Sequence, residues 1–275
     1  MKQLPSLYSV LVLFGKEIDR SVASPANFAD LTEQIASLLV LTGCRLTARG
    51  TILGAKWRKV APRRGPWSPV LRDKYIGSFG AGSFRALELF DSRWHDDRFP
   101  NAFGSIHKYF DYSRGVETER TDIGAENNVT VALREDLVDN AFERLKAASH
   151  DLLEKIDGFY GTIESGVPWE QPVGRMFEDM IDIRWHNRGD NDYGNGEYQV
   201  QKMVPRLNRG NLLCRTQFTH YDLQGLQKLR GVTSVEKWPG GLTYLELNKQ
   251  PEYGSKPPPR FADFIRFIPE EEPDA

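Results

Sequence analysis

The sequence predicts an α+β fold: a mixed β-sheet with packed amphipathic helices, strand-helix-strand units and long connecting loops. Three observations support this prediction. Short β-branched and aromatic runs are bounded by Gly and Pro, amphipathic helical stretches follow two of these runs, and the last two runs are close enough to form a hairpin. The long connections and the terminal hairpin argue against a doubly wound α/β fold.

The first strand-helix unit lies near the N-terminus. The run from Val10 to Phe14 is almost continuously apolar, which predicts a strand covered on both faces. Ser24 and Pro25 predict the start of a helix, because Ser is a good N-cap and Pro suits the first turn. Gly43 predicts its end. The helical spacing between these points is carried by Phe28, Leu31, Ile35, Leu38 and Leu39. A return strand is expected over 51–60, followed by a break at Pro62, Gly65 and Pro66.

The second unit begins with a strand predicted at 128–133. A helix follows, with Asp136 or Asp139 suited to its positive N-terminal end, and Gly158 predicts its end. Its apolar stripe consists of Val138, Phe142, Leu145, Leu152, Leu153 and Ile156. Residues 159–165 are expected to be extended.

The third unit lies in the last quarter of the chain. A strand is predicted at 211–216 and a short helix at 221–229. Residues 232–238 and 242–247 then predict a hairpin around Pro239, Gly240 and Gly241.

Two stretches, 79–127 and 166–210, resist assignment and are expected to be long functional or mobile loops. Within the first, Gly80, Ala81 and Gly82 predict a turn. We expect one domain over 1–275, with two related halves at about 1–115 and 116–269 as the alternative. Residues 270–275 form an acidic tail.

Composition restricts the classes of function. The chain has 36 Lys and Arg against 38 Asp and Glu, so no global field attracts DNA or an anionic membrane. Its two cysteines are expected to be free thiols, with Cys44 the more exposed. No run is long enough to span a bilayer and no signal peptide is recognised, which predicts a cytoplasmic protein.

A search for catalytic motifs finds no phosphate-binding loop, dinucleotide fingerprint, nucleophile elbow or metalloprotease helix. The sequence therefore predicts a protein that is not an enzyme and that needs no cofactor.

A short motif that occurs twice in the sequence suggests a metal site as an alternative function. Arg-Trp-His occurs at 93–95 and again at 184–186, with acids following each copy. His95, Asp97, His186 and Asp190 could hold a divalent metal in a hydrolase. Turn formation by these Asp and Asn residues is the competing interpretation.

Charge is unevenly distributed along the chain. Residues 45–74 are basic and carry Trp57 and Trp67, which suits either nucleic-acid binding or a solvated strand and loop. Residues 111–157 are acidic, which suits either the steering of a basic partner or an ordinary helix surface.

The C-terminal segments Trp238–Leu245, Pro251–Gly254 and Pro259–Pro269 resemble the C-terminal layout of bacterial type VI secretion immunity proteins. With the N-terminal strand and the chain length, the sequence is most similar to the polymorphic-toxin immunity family known as immunity protein fifty-two. The resemblance implies an antitoxin that binds and inhibits a cognate effector, typically a nuclease, without catalytic residues of its own.

Binding of such a toxin would need buried aromatic anchors and steering charges. The candidates in the two long loops are Trp94, Trp185, Asp190, Asp192 and Tyr193. The candidate steering charges are Glu135, Asp136, Asp139 and Glu143.

Overall fold

In a computed structural model of the chain, the structure describes residues 6–15, 25–52, 63–93, 100–107, 128–156, 158–168, 208–213 and 231–249. These residues form ten strands and three α-helices. The strands are β1 (Leu7–Gly15), β2 (Leu46–Ile52), β3 (Arg63–Pro66), β4 (Phe84–Asp91), β5 (Ala102–His107), β6 (Asn128–Arg134), β7 (Gly158–Pro168), β8 (Gly210–Leu213), β9 (Val232–Lys237) and β10 (Thr243–Leu247). The helices are α1 (Pro25–Leu39), α2 (Pro69–Gly80) and α3 (Ala141–Lys155).

The ten strands form one sheet in the order β3-β2-β4-β5-β6-β1-β7-β8-β10-β9. This confirms the α+β prediction. All pairings among the described strands are antiparallel, so the expected mixed sheet is in fact antiparallel over this part of the chain. Strands that follow one another in the chain, such as β4 and β5, are often neighbours in the sheet. The second strand starts at the end of the sheet where the first one finishes, and this gives antiparallel pairing.

β1 is a central strand, paired with β6 on one side and β7 on the other. Val10 and Val12 face one side of the sheet and Leu11 and Leu13 the other, and all four are at most 1% exposed. The predicted strand covered on both faces is therefore confirmed. Both neighbours of β1 come from the second half of the sequence, so the two predicted halves share one continuous sheet.

The three helices pack against the sheet face that presents Leu11 and Leu13. α1 and α3 contact central strands and α2 contacts α1 and β4. Helix packing thus produces the main hydrophobic core, because α1 and α3 each direct an apolar face to the sheet and α2 contributes the buried Tyr75.

The first predicted helix is confirmed. α1 begins at Pro25, and its buried side chains include Phe28, Leu31 and Ile35. A single 3-10 turn over Val40–Thr42 follows. Gly43 then ends the helical region with φ 71°, a left-handed conformation that favours glycine.

The second predicted helix starts later than expected. α3 begins at Ala141, because Asn140 at its N-cap is left-handed with φ 55°. Val138 and Ile156 are buried but flank the helix. Gly158, which was predicted to end the helix, is the first residue of β7. This strand extends through the predicted 159–165 segment.

The prediction that 79–127 is a long loop is wrong where the structure describes it. β4 and β5 occupy this stretch, and the residues 94–99 and 108–127 lie outside the described part. Both strands contain charged or small residues, so neither shows the apolar pattern by which a strand is recognised in a sequence. Glu88 of β4, for example, is a charged residue that the strand accommodates because it pairs across the sheet with Arg49 on β2.

The return strand and the following break also differ from expectation. β2 starts earlier, at Leu46, and residues 53–62 lie outside the described part. Gly65 and Pro66 do not break the chain but lie in the edge strand β3, where a proline is tolerated. Ser68 then caps the unpredicted helix α2 by accepting a hydrogen bond from the Leu71 backbone N–H.

The terminal hairpin is confirmed: β9 and β10 pair through a turn at Pro239–Gly241. The first part of the strand predicted at 211–216 is confirmed as β8, while residues 214–216, the helix expected at 221–229 and the tail at 270–275 lie outside the described residues. Among the described helices, none is long and apolar enough to cross a membrane.

Candidate functional site

Several connections leave the sheet at the same end, which we call the loop end. β4 finishes there and β5 starts there, so the described residues on either side of segment 94–99 are neighbours. β7 also finishes there, with Pro168 opposite Leu7 at the start of β1. Both stretches that held the predicted aromatic anchors therefore connect to described strands that end at the loop end.

Exposed aliphatic side chains gather at the loop end. Five large hydrophobic residues are exposed among the described residues: Leu7, Val40, Leu41, Val70 and Leu137. Leu7 starts β1, Leu137 follows β6, and Val40 and Leu41 precede β2. Val70 opens α2 just after Trp67, whose N–H donates to Leu46 O at the start of β2. All five thus lie at one end of the sheet.

A polar network ties the strand ends together beneath these side chains. Tyr8 donates to the carbonyl of Pro100 over 2.8 Å. Burial raises the pKa of Tyr8 to about 12, with the nearby Arg134 opposing that rise and Asp136 adding to it, so the hydroxyl keeps its proton. Asn101 Oδ1 accepts from Arg134 over 2.8 Å, which joins β5 to β6.

Asp91 anchors the other side of this network. Its side chain is only 3% exposed. It accepts hydrogen bonds from Asn101 Nδ2 at 2.8 Å and from the Arg93 backbone N–H at 3.0 Å. A buried carboxylate needs such donors, because an unpaired one would be costly. These bonds hold both described ends of the 94–99 connection.

Cys44 lies close to Asp91 and Arg93, and its predicted exposure is wrong. The residue is buried, and its thiol contacts the Leu39 carbonyl at 3.6 Å. Burial raises the pKa of the Cys44 thiol, which favours the unreactive protonated form at neutral pH.

Two of the predicted steering acids have internal partners. Glu135 Oε1 accepts from Ser9 Oγ at 2.7 Å and from the Gly166 N–H at 2.8 Å, so it joins β1 to the end of β7. Asp136 accepts two hydrogen bonds of 2.6 Å from the guanidinium of Arg134. These bonds lower the pKa of Asp136 and keep it ionised.

The other two predicted acids face solvent. Asp139 lies in the turn before α3 and is exposed. Glu143 lies in the first turn of α3, where its charge suits the helix dipole, and its side chain is 55% exposed. Both follow the exposed Leu137 in the chain, and Asp136 directly precedes it.

The aromatic and metal-binding candidates lie outside the described residues. They are Trp94, Trp185, Asp190, Asp192 and Tyr193 for partner binding, and His95, Asp97, His186 and Asp190 for a metal. Within the described part of the chain, no group of three or more His, Cys, Asp or Glu residues is placed to hold a metal ion. The metal hypothesis concerns other residues and stays a prediction.

The basic segment 45–74 is divided among several elements. Arg49 of β2 donates through Nε to Glu88 Oε2 at 2.6 Å, and Arg72 of α2 pairs with Glu33 at 2.9 Å. Arg45, which precedes β2 at the loop end, is exposed. Two of the described cations thus serve contacts within the protein.

Sequence reasoning missed a polar cluster at the far edge of the sheet. Lys146 of α3 donates to Glu246 Oε2 at 2.8 Å and lies 3.4 Å from Glu236 Oε1. Its Nζ also lies 4.4 Å from the ring centroid of Tyr244, which stacks on Trp238 at 4.8 Å. The sequence signal was the presence of two acids and two aromatic residues in the hairpin, but only the fold shows that their partner Lys146 lies on α3.

Comparisons with known proteins give one match. No family model matches the chain, and no curated protein matches it. Among solved structures, the Pseudomonas aeruginosa T6SS protein PA0821 is similar, with 8% sequence identity and a TM-score of 0.48. The match covers 89% of this chain and 66% of that chain, so this chain spans slightly less than two thirds of its length. The resemblance to the immunity protein fifty-two family stays a prediction.

Proposed function

We propose that the protein is an antitoxin of the immunity type, which binds a cognate toxin effector through the loop end and inhibits it in the cytoplasm of the producing cell. The observation that carries the proposal is that all five exposed large hydrophobic side chains of the described residues lie at this one end. Single exposed aliphatic residues are ordinary on a protein surface, whereas their concentration at one end is typical of an interface.

The anatomy of the loop end fits a protein partner. Leu7 and Leu137 are 41% and 39% exposed, so each still has apolar area to bury against another protein. Exposed carboxylates at Asp136, Asp139 and Glu143 lie close to Leu137 in the chain and would form the polar rim that interfaces usually have around their apolar residues. Burying the exposed aliphatic side chains would supply affinity, and the exposed carboxylates would supply specificity.

The strand ends beneath the surface are held rigidly before binding. The bonds of Tyr8, Asp91 and Glu135 connect β1, β4, β5 and β7 across the loop end. A preorganised surface loses less conformational entropy on binding, which increases affinity. The Tyr8 and Asp91 bonds hold both described ends of the segment that contains Trp94, and the Glu135 bond holds the end of β7, which leads into the segment that contains Trp185. Both tryptophans are our candidate aromatic anchors.

The toxin expected for this surface is a nuclease domain, because such domains carry basic surfaces that bind nucleic acid. Asp139 and Glu143 would attract it and accelerate association. In that arrangement the loop end covers the toxin's cleft.

A growth-rescue assay tests the proposal. The chain is expressed with the toxin encoded by the adjacent gene, and we expect the wild type to restore growth. Leu137→Asp replaces one of the exposed aliphatic side chains of the loop end with a charge. It should abolish rescue and weaken toxin binding at least about 100-fold. Ala26→Asp, on an exposed residue at the opposite end of the sheet, is the matched control and should rescue fully.

Normal rescue and binding by Leu137→Asp would show that the loop end is not the toxin-binding surface. Absence of rescue and of binding by the wild type would refute the antitoxin function itself.

A further inference from the structure

The last three strands of the sheet, β8, β10 and β9, form what we call the edge unit. β10 lies in the middle and pairs with β8 over four residues and with β9 over five. The side-chain amide of Asn211 in β8 donates to the Asn208 carbonyl at 2.7 Å and to the Leu245 carbonyl at 3.2 Å. The three strands are therefore joined to one another by their own hydrogen bonds.

The edge unit meets the rest of the sheet along a short seam between β7 and β8. β7 pairs with β1 over eight residues but with β8 only over 161–163. At the ends of this seam, Gly161 lies opposite Leu212 and Gly210 lies opposite Ile163. Two of the three pairs therefore have a side chain on one strand only, whereas side chains on both strands are what stabilises a sheet most.

The middle pair of the seam contains an unsatisfied polar group. Thr162 is only 4% exposed, and its hydroxyl has no hydrogen-bond partner among the described residues. Such a group lowers the stability of the closed arrangement, and water would satisfy it if β8 moved away. The seam thus contributes less to stability than the longer ladder between β1 and β7.

Two side chains of α3 hold the edge unit from the helical side. Lys146 pairs with Glu246 of β10 at 2.8 Å. Phe142 packs against the guanidinium of Arg209, which lies 3.7 Å from the ring centroid and directly precedes β8. We call Phe142, Lys146 and these two partners the α3 latch. In the described part of the chain, the edge unit packs mainly against β7 and α3.

We infer that the edge unit opens as one cooperative unit while the other seven strands stay folded, and that the α3 latch controls this opening. Proteins open locally in contiguous units that often coincide with groups of neighbouring strands or helices. Tyr244 and Leu245 are at most 1% exposed, so opening exposes apolar surface and the open state is a minor one. In that state, β7 becomes an edge strand whose backbone groups at 161–163 can pair with another strand. The inference does not depend on the proposed function.

Native-state hydrogen exchange of the full chain, followed by mass spectrometry at low urea concentrations, tests the inference. We expect peptides from β8 and β10 to exchange with one common urea dependence, at least about 100-fold faster than peptides from β1 and β6. Equal protection of β10 and β1 would refute it.

A core variant distant from the seam separates opening of the edge unit from unfolding of the whole chain. Ile35 of α1 packs over Gly104 of β5, which lies three strands away from β7. Ile35→Val should accelerate exchange in β1 and β6 about 3–10-fold, because global unfolding breaks its contacts. Exchange in β8 and β10 should stay unchanged, since opening of the edge unit leaves Ile35 packed. Equal acceleration in all four strands would show that the edge unit does not open separately.

Lys146→Met tests the role of the α3 latch, because it leaves Glu246 without its cation. We expect exchange in β8 and β10 to accelerate at least about 10-fold. Lys237→Met removes an exposed lysine from β9 as the matched control and should leave exchange in both strands unchanged. An unchanged rate in Lys146→Met, or an equal acceleration in the control, would show that the latch does not control the opening.

Discussion

The Lys146 ammonium lies 4.4 Å from the centroid of the Tyr244 ring and joins helix α3 to the edge hairpin. It also pairs with Glu246, which accepts a second hydrogen bond from the Tyr244 hydroxyl at 2.9 Å. One cation therefore fastens the last two strands of the sheet to the helical layer.

Replacing Lys146 should destabilise the protein. Lys146→Met leaves Glu246, whose side chain is only 14% exposed, without its cation, and we expect a loss of about 2 kcal/mol in the free energy of unfolding. Urea denaturation measures the change. The control Lys237→Met removes an exposed lysine from the same hairpin and should change stability by less than about 0.5 kcal/mol. Equal effects of the two variants would contradict the role of the cluster.

Glu236 should contribute acid-dependent stability. Hydrogen bonds from Ser234 and Trp238 and the charge of Lys146 lower its pKa below the usual 4.5. A lowered pKa in the folded state means that its stabilisation is complete above pH 4.5 and is lost as pH falls through the lower folded value. Thermal unfolding of the wild type should therefore show a pH dependence below 4.5 that Glu236→Gln partly lacks. Identical Tm–pH profiles would contradict this.

Gly50 should tolerate no side chain. A Cβ at this position in β2 would overlap the Tyr75 ring and lie 2.6 Å from the Ala86 carbonyl oxygen, which is backbone and cannot rotate away. Gly50→Ala should cost at least about 2 kcal/mol in urea denaturation. The matched control is Gly77→Ala in α2, where a Cβ has nothing within 4 Å. This change should be neutral or stabilise by up to about 1 kcal/mol, because Ala favours the helix. A stable Gly50→Ala variant would show that β2 and α2 are not in this contact.

Replacing Glu135 should lower stability, whereas replacing Asp139 should affect only association with a partner. Glu135→Ala leaves the Ser9 hydroxyl and the Gly166 N–H without their acceptor and should cost about 1–3 kcal/mol of stability. Asp139→Ala should leave stability within about 0.5 kcal/mol of wild type but slow association with a basic toxin, more at low salt than at high salt. Chemical denaturation and stopped-flow association measure the two effects. A Glu135→Ala variant of unchanged stability would place that acid among the surface charges.

Local patterns in the sequence predicted elements whose signal is self-contained. The continuous apolar run of β1, the helical spacing of α1 and the glycine turn between β9 and β10 each depend on neighbouring residues alone. α2, β4 and β5 were not predicted, because the residues that form them fit these elements only through contacts with residues distant in the chain. Glu88 belongs in a strand because Arg49 lies opposite, and Gly50 is needed because Tyr75 of α2 packs over it.

The sequence by itself determined the class of fold, the central buried strand and the acidic character of the stretch before α3, since composition and periodicity are local properties. Only the tertiary structure decided which acids are exposed, because Glu135 accepts bonds from residues 126 and 31 positions away. It alone also brought Leu7, Val40, Leu41, Val70 and Leu137 to one end. An isolated aliphatic residue in a turn carries no signal of what lies beside it, and antiparallel pairing of strands distant in the chain determines which turns become neighbours.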